Sequence, residues 1–134
     1  MRLFGFILLV FLTLISCQSN TQMMNEIVFV DVIGNYVGEC AEYSTSISEL
    51  SNSEEATLSV IASTISSAGI KASCERIVDS SLPVKSASAS RIEFESTIGS
   101  TTVKMTYIAV SDSIVVLQTS TGENQNLIFT GKRQ

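Results

Sequence analysis

Apolar and polar residues alternate one by one along several stretches of this chain, and this period of two restricts its fold more than any other feature. The pattern is clearest at residues 91–95 (RIEFE) and 103–109 (VKMTYIA), and it recurs at 56–62. Because successive side chains of a strand point to opposite faces, such alternation predicts strands with one buried and one solvated face. Abundant β-branched residues favour the same structure. The sequence therefore predicts an all-β domain.

Clusters of Ser, Asn, Gly and Asp divide the apolar-rich stretches and predict the turns between strands. A strand-like run at 27–32 precedes the main series. The eight strands expected after it are residues 36–44, 56–62, 70–75, 84–90, 91–95, 103–109, 114–119 and 126–132. The polar segment 47–54 and the segment 79–83, which contains Pro83, are expected connections. Antiparallel strands joined by short turns can close and remove their exposed edges, so we expect an up-and-down barrel of about eight strands, with a two-sheet sandwich as the alternative.

The segment 53–65 is the place where a helix competes with a strand. Glu54 and Glu55 would suit the first turn of a helix, because carboxylates there interact favourably with the helix dipole. Several residues of the segment are β-branched and lose rotamer freedom in a helix. They are Thr57, Val60, Ile61, Thr64 and Ile65. This composition favours the strand.

Residues 1–16 form a leader with one basic residue, Arg2, and an apolar run over 3–15. The run is shorter than the roughly 20 residues that a membrane-spanning helix needs, and its length suits the core of a secretory signal peptide. It ends in the sequence LISC at 14–17, which resembles the bacterial lipobox. The resemblance implies transfer of diacylglycerol to the Cys17 thiol, cleavage after Ser16 and acylation of the new amino terminus.

The predicted organisation is a signal peptide at 1–16, a lipidated tether at 17–25 and a β-barrel domain at 26–134. Several acyl chains of the palmitate kind hold a protein in a bilayer far more firmly than one chain does, so a lipid bilayer is the first expected partner. Gln18, rather than an aspartate, follows the cysteine. By resemblance to the sorting pattern of enteric bacteria, this favours the outer membrane, within a cell-envelope location that is periplasmic or surface-facing.

Cys40 and Cys74 are the two cysteines that remain beside Cys17. Export places them in an oxidising compartment, where a disulfide persists, and both fall on inward-facing positions of predicted strands. If the strands follow one another in order, however, one strand separates the two cysteines. Since neighbouring strands lie about 4.8 Å apart, the Cα separation can exceed the roughly 7 Å limit of a disulfide. A contact near the barrel rim allows the bond, and two buried thiols are the alternative.

The chain has no histidine, and its formal net charge is −5. The missing histidine removes the usual proton shuttle and the commonest metal ligand, and with it Ser-His-Asp and Cys-His catalysis. The acidic balance argues against a nucleic-acid partner. Glu93 and Glu95 lie on the polar side of an alternating strand, where solvated charges belong, and Lys132 and Arg133 indicate a small basic, soluble terminus. We expect no enzyme activity, no cofactor and no metal site.

Three short motifs give the chain a likeness to a known group of proteins. They are GNYVG at 34–38, ATLSV at 56–60 and LIFTGKRQ at 127–134. Together they resemble the small lipocalin-like (calycin-type) lipoproteins of Bacteroidota and related bacteria, with Tyr36 at the place of the signature tryptophan. The resemblance implies an eight-stranded barrel that acts as a binding module. The aromatic residues expected inside it, facing any ligand, are Tyr36, Phe94, Tyr107 and Phe129.

The sequence SASASR at 86–91 carries a second resemblance, to the serine-rich loop of periplasmic lysozyme-inhibitor lipoproteins. The sequence therefore suggests one main function and one alternative. The first is a membrane-anchored, non-enzymatic module that binds an unknown small ligand or protein. The alternative is an inhibitor of lysozyme or another cell-wall hydrolase.

Overall fold

Eight antiparallel strands form a closed barrel, as predicted. The structure is a computed structural model that describes residues 31–44, 49–122 and 126–134. The strands are β1 (Gly34–Tyr43), β2 (Leu50–Thr64), β3 (Ser67–Ala72), β4 (Ser80–Ala87), β5 (Arg91–Ile98), β6 (Thr101–Ile108), β7 (Ser113–Ser120) and β8 (Asn126–Arg133). Each strand pairs with the next one in the chain, and β8 pairs with β1, which gives up-and-down topology. The predicted signal peptide at 1–16, Cys17, the predicted tether at 17–25 and most of the run at 27–32 lie outside the described residues.

The period of two in the sequence places one face of every strand inside the barrel. Along β6, Val103, Met105 and Tyr107 are buried while Lys104 between them is exposed. The inward side chains of all eight strands form one apolar cluster. Its largest fully buried members are Tyr36, Phe94, Phe129, Leu58, Leu82 and Met105. Within the described residues, no helix is long and apolar enough to cross a membrane.

Strand β2 is confirmed in place of a helix, but it begins at Leu50, so the prediction of a connection over 47–54 is wrong for residues 50–54. The first half of β2 is exposed on both faces and therefore lacks the alternation that marks a strand. Pairing with β1 nevertheless continues there, across a bulge in which Cys40 opposes Glu54 and Glu42 opposes Ser51. The extra residue of this bulge lies in β2, where Asn52 adopts a left-handed backbone conformation with a φ of 49°.

The segment around Pro83 was also predicted wrongly. Strand β3 ends at Ala72, and β4 runs over Ser80–Ala87, so that Pro83 lies inside a strand and residues 88–90 form a connection. Proline fits because β4 changes partner at this point: it pairs with β3 up to Pro83 and with β5 from Val84 onward. The Val84 amide points towards β3 and donates to the Ser66 carbonyl at 2.9 Å. Because successive backbone nitrogens of a strand point to opposite sides, the Pro83 nitrogen points towards β5, where pairing begins only at Val84 and no donor is needed.

The two ends of the barrel differ in their connections. What we call the arginine end is the end where β1 begins, and it carries the connections at 65–66, 88–90 and 109–112. What we call the disulfide end is the opposite one, where the long connection at 73–79 links β3 to β4 and the turn at 99–100 links β5 to β6.

Candidate functional site

The four aromatic residues expected inside the barrel all lie there. Tyr36, Phe94, Tyr107 and Phe129 come from β1, β5, β6 and β8, belong to one cluster and are at most 6% exposed. Leu58 and Met105 pack in the same cluster and are fully buried. At this level the barrel is filled by its own side chains. That any of the four rings faces a ligand stays a prediction.

A disulfide joins Cys40 to Cys74, which confirms the predicted pair. Their Cα atoms are 6.6 Å apart, within the range that a disulfide bridges. The intervening strand is no obstacle, because β3 ends before Cys74 and the cysteine lies in the 73–79 connection instead of in the predicted extension of the strand. Ile77 of the same connection is buried in the core cluster. The connection therefore covers this end of the barrel and is fixed to β1.

Two buried polar side chains hold the 73–79 connection in place. The side-chain amide of Gln118 accepts from the Val78 amide and donates to the Arg76 carbonyl, both at 2.9 Å. Glu42 forms an ion pair with Arg76 and accepts from the side-chain amide of Asn52 at 2.8 Å. Both Glu42 and Gln118 occupy inward positions and are 8% exposed. Sequence analysis missed this network, although polar residues at inward positions of alternating strands are the pattern that indicates one.

An open cleft lies beside the disulfide. Residues 54–55 of β2 and residues 73–76 of the connection line it, and its volume is about 480 Å³. Three acidic residues, Glu54, Glu55 and Glu75, and one basic residue, Arg76, are among those that line it. Arg76 is itself paired with Glu42 and lies 3.7 Å from the Glu54 carboxylate. The cleft therefore presents excess negative charge and suits a cationic group.

Arg133 organises the opposite end of the barrel. Its Nε donates to both carboxylate oxygens of Asp112, at 2.9 and 3.0 Å, and its Nη1 donates to the Ile33 carbonyl at 2.6 Å. Nη2 donates to the Tyr36 hydroxyl at 3.1 Å and also to the Asp31 carbonyl. One side chain of β8 thus binds the segment before β1, the first residues of β1 and the β6–β7 turn. The sequence-based interpretation of Arg133 as a free basic terminus is therefore wrong, whereas Lys132 is exposed.

Two tyrosine hydroxyls complete the arginine end. Tyr36 donates to the Val32 carbonyl at 2.6 Å, and Tyr107 donates to the Asp112 carboxylate at 2.8 Å. Burial, helped by the hydrogen bond to Asp112, raises the pKa of Tyr107 to about 12, and burial also raises the pKa of Tyr36. The hydrogen bond from Arg133 lowers the pKa of Asp112. These groups keep fixed protonation states near neutral pH, so the arrangement suits a structural clasp rather than a proton relay.

The remaining predicted groups lie on the outer surface near β5. Glu95 pairs with Lys85, and Glu93 lies 3.7 Å from Arg91, so that both carboxylates face basic partners. The serine-rich segment at 86–91 ends β4 and forms a short connection at the arginine end. The Ser88 amide donates to the Arg91 carbonyl at 2.8 Å across it. The described parts of the chain contain no group of three acidic or cysteine side chains that could hold a metal ion.

The chain matches no family model, no curated protein and no solved structure.

Proposed function

We propose that this protein is a lipid-anchored, non-enzymatic lipoprotein of the lipocalin-like kind that binds a protein partner through the disulfide end of its barrel. The packing of the barrel interior carries the proposal. Small-ligand pockets are hollows of about 300–1,000 Å³ lined by apolar groups, but here Tyr36, Phe94 and Phe129 occupy the interior with almost no exposed surface. Recognition is therefore assigned to the outside of the barrel.

The acidic cleft is the surface best suited to that role. Glu54, Glu55 and Glu75 give it a local excess of negative charge that would steer a cationic partner towards it. The disulfide and the Gln118 contacts support a rigid shape for the cleft wall, and preorganisation lowers the entropy cost of binding. The partner proposed is thus a protein with a basic surface.

The lipid anchor rests on the leader and on the lipobox-like sequence at 14–17. The disulfide supports the proposed export, since such bonds persist in oxidising compartments. Cys17→Ser should abolish fatty-acid labelling and move the protein from the membrane to the soluble fraction. The double variant Cys40→Ser/Cys74→Ser is the matched control, and it should keep the label. Unchanged labelling of Cys17→Ser would refute the anchor.

Site-specific crosslinking in the native host tests the binding surface. A photoreactive amino acid at Ser73, in the cleft, should give a discrete crosslinked protein, and the same probe at Ser88, at the arginine end, should not. Glu55→Lys/Glu75→Lys should remove the crosslink, while Glu93→Lys/Glu95→Lys, which makes the same change in charge on β5, should keep it. Equal crosslinks at Ser73 and Ser88 would contradict the proposal. A small molecule that copurifies at one per barrel would point to the interior instead.

Inhibition of a cell-wall hydrolase is the second candidate. The acidic cleft favours it, because lysozymes are cationic enzymes and an open acidic surface complements them. The serine-rich segment at 86–91, which suggested this function from the sequence, lies at the other end of the barrel and is not part of the cleft. Inhibition assays of the purified protein against several lysozyme types test this candidate, and unaltered lysozyme activity throughout would eliminate it.

A further inference from the structure

Two aliphatic side chains project from turns at the arginine end of the barrel. Ile65, in the β2–β3 turn, is 98% exposed, and Val110, in the β6–β7 turn, is 93% exposed. Single exposed apolar residues are common on protein surfaces. The exposed aliphatic residues of the disulfide end, Leu50, Val78 and Ile98, are only 47–56% exposed, so Ile65 and Val110 are the large apolar side chains of the described residues that are most fully in solvent.

The charges of the two ends are distributed unequally. In the described connections at 65–66, 88–90 and 109–112, Asp112 is the only charged residue, and Arg133 neutralises it; the described segment before β1 adds one exposed acidic residue, Asp31. The disulfide end and its rim carry one basic residue, Arg76, and five acidic residues, which are Glu49, Glu54, Glu55, Glu75 and Asp79. Bilayers that contain anionic lipids carry a negative surface potential, so they would repel the disulfide end and accept the arginine end.

The route of the chain favours the same orientation. Strand β1 begins at the arginine end with Gly34, and the proposed anchor at Cys17 lies upstream along the chain. Only 16 residues of sequence separate Cys17 from Gly34, so the proposed anchor is attached to the barrel at its arginine end. The arginine end is therefore the part of the barrel that the tether holds closest to the lipid, at a high effective concentration.

We propose that the arginine end docks on the bilayer surface, with Ile65 and Val110 inserted at the boundary between headgroups and acyl chains. The proposal rests on the proposed anchor at Cys17. Even a weak affinity of the two turns for lipid orients the barrel, because the tether already keeps the barrel at a high local concentration beside the membrane. The acidic cleft at the disulfide end then points away from the membrane, towards its protein partner.

The absence of tryptophan from the chain allows a direct test, since one introduced tryptophan is the only indole that fluoresces. Ile65→Trp and Val110→Trp place the probe at the two turns. Val78→Trp places it at the disulfide end, on a side chain that is 47% exposed. Each full-length, lipidated variant is reconstituted into vesicles of phosphatidylethanolamine and phosphatidylglycerol, with and without lipids brominated near the headgroup. Vesicle flotation measures anchoring in the same samples.

Docking predicts a shift of emission to shorter wavelength and quenching by brominated lipid for Ile65→Trp and Val110→Trp, and neither effect for Val78→Trp. Full flotation with unshifted, unquenched emission at the two turns would overturn the docking proposal and leave the anchor intact. Loss of flotation would overturn the anchor and the docking together. Equal quenching of all three variants would mean that the barrel has no preferred orientation, which also overturns the proposal.

Discussion

The guanidinium carbon of Arg133 lies 5.1 Å from the centroid of the Tyr36 ring. This contact joins β8 to β1, the two strands whose pairing closes the barrel, and it does so where the chain enters the first strand. The same guanidinium donates to the Ile33 carbonyl and to the Asp112 carboxylate. A single side chain thus fixes the closure of the ring, the path of the chain into β1 and the position of the β6–β7 turn.

Replacement of Arg133 should destabilise the barrel. Arg133→Ala removes charge-assisted hydrogen bonds to Asp112 and Ile33 and should lower the free energy of unfolding by about 2–3 kcal/mol. Lys132→Ala is the matched control, because the Lys132 side chain is exposed, and it should change stability by less than about 0.5 kcal/mol. Denaturant unfolding of both variants measures the difference. Equal losses would contradict the structural role of Arg133.

The Asp112–Arg133 pair should also make stability depend on acid pH. The pKa of Asp112 is lowered by Arg133 in the folded protein and returns towards its ordinary value of 3.8 on unfolding. A lowered carboxyl pKa contributes stability that is complete above the unfolded value and is lost as the pH falls through the folded value. The melting temperature should therefore fall below about pH 4, by a small amount because Asp112 is half exposed. Asp112→Asn should flatten this part of the profile, and a profile identical to that of the unaltered protein would refute the pair's contribution.

The disulfide should contribute measurably to stability. Cys40 and Cys74 are separated by 34 positions, and closure of a loop of that length stabilises the folded state by about 3–4 kcal/mol through the lost entropy of the unfolded chain. Denaturant unfolding of Cys40→Ser/Cys74→Ser should show this loss relative to the oxidised protein. Mass spectrometry of nonreduced peptides supplies the control, since it must find residue 40 linked to residue 74 before the comparison has meaning.

A methyl group at Gly38 should disrupt the closure between β1 and β8. Gly38 pairs with Gly131, and a Cβ at Gly38 would lie 1.8 Å from the Thr130 carbonyl oxygen. Backbone atoms cannot move aside as side chains do, so Gly38→Ala should cost about 3 kcal/mol or more. In the matched control Gly69→Ala, the new Cβ meets the flexible side chain of Ile61 at 3.0 Å, and the loss should be about 1 kcal/mol. Thermal unfolding compares the stability losses of the two variants. A smaller loss for Gly38→Ala than for Gly69→Ala would show that β1 and β8 separate easily at this point.

Gln118 should restrain the connection that covers the disulfide end. Gln118→Leu leaves the Val78 amide and the Arg76 carbonyl without their side-chain partner, which should cost about 1–3 kcal/mol. Hydrogen exchange at Val78 should accelerate in this variant. Thr119→Val, at the exposed neighbouring position on β7, should leave that exchange unchanged. An unaltered exchange rate in Gln118→Leu would mean that the disulfide alone restrains the connection.

The sequence predicted the fold class because alternation is a local regularity, and it predicted the disulfide because only two cysteines remain beside Cys17. Alternation at 91–95 and 103–109 marks strands that are buried on one side, and such strands make up most of this barrel. The predicted strand boundaries are wrong at the points where the alternation stops. Residues 50–55 are exposed on both faces, and Pro83 fits inside a strand through a change of pairing partner that no local pattern records.

The clasp at the arginine end was missed for a different reason. Arg133 continues the inward series of Phe129 and Gly131 along β8, and a charged residue at an inward position implies a partner. The partner, Asp112, is 21 positions away in the sequence and lies in a turn whose composition indicated only a turn. Its contact with Arg133 forms when β7 pairs with β8, and the residue pattern within one strand does not predict the register of that pairing.

Since β4 changes pairing partner at Pro83, fewer residue pairs join it to its neighbours than join any other strand of the barrel, and we expect the ring to open there first. Four residue pairs join β4 to β3, and three join it to β5. Release of β4 would turn the ring into an open curved sheet, with β3 at one border and β5 at the other. The Cys40–Cys74 bond would keep β1 and the end of β3 together in that open form. Amide hydrogens of β4 should then exchange with solvent well before those of β1, and the sheet can close again without searching for its strand order.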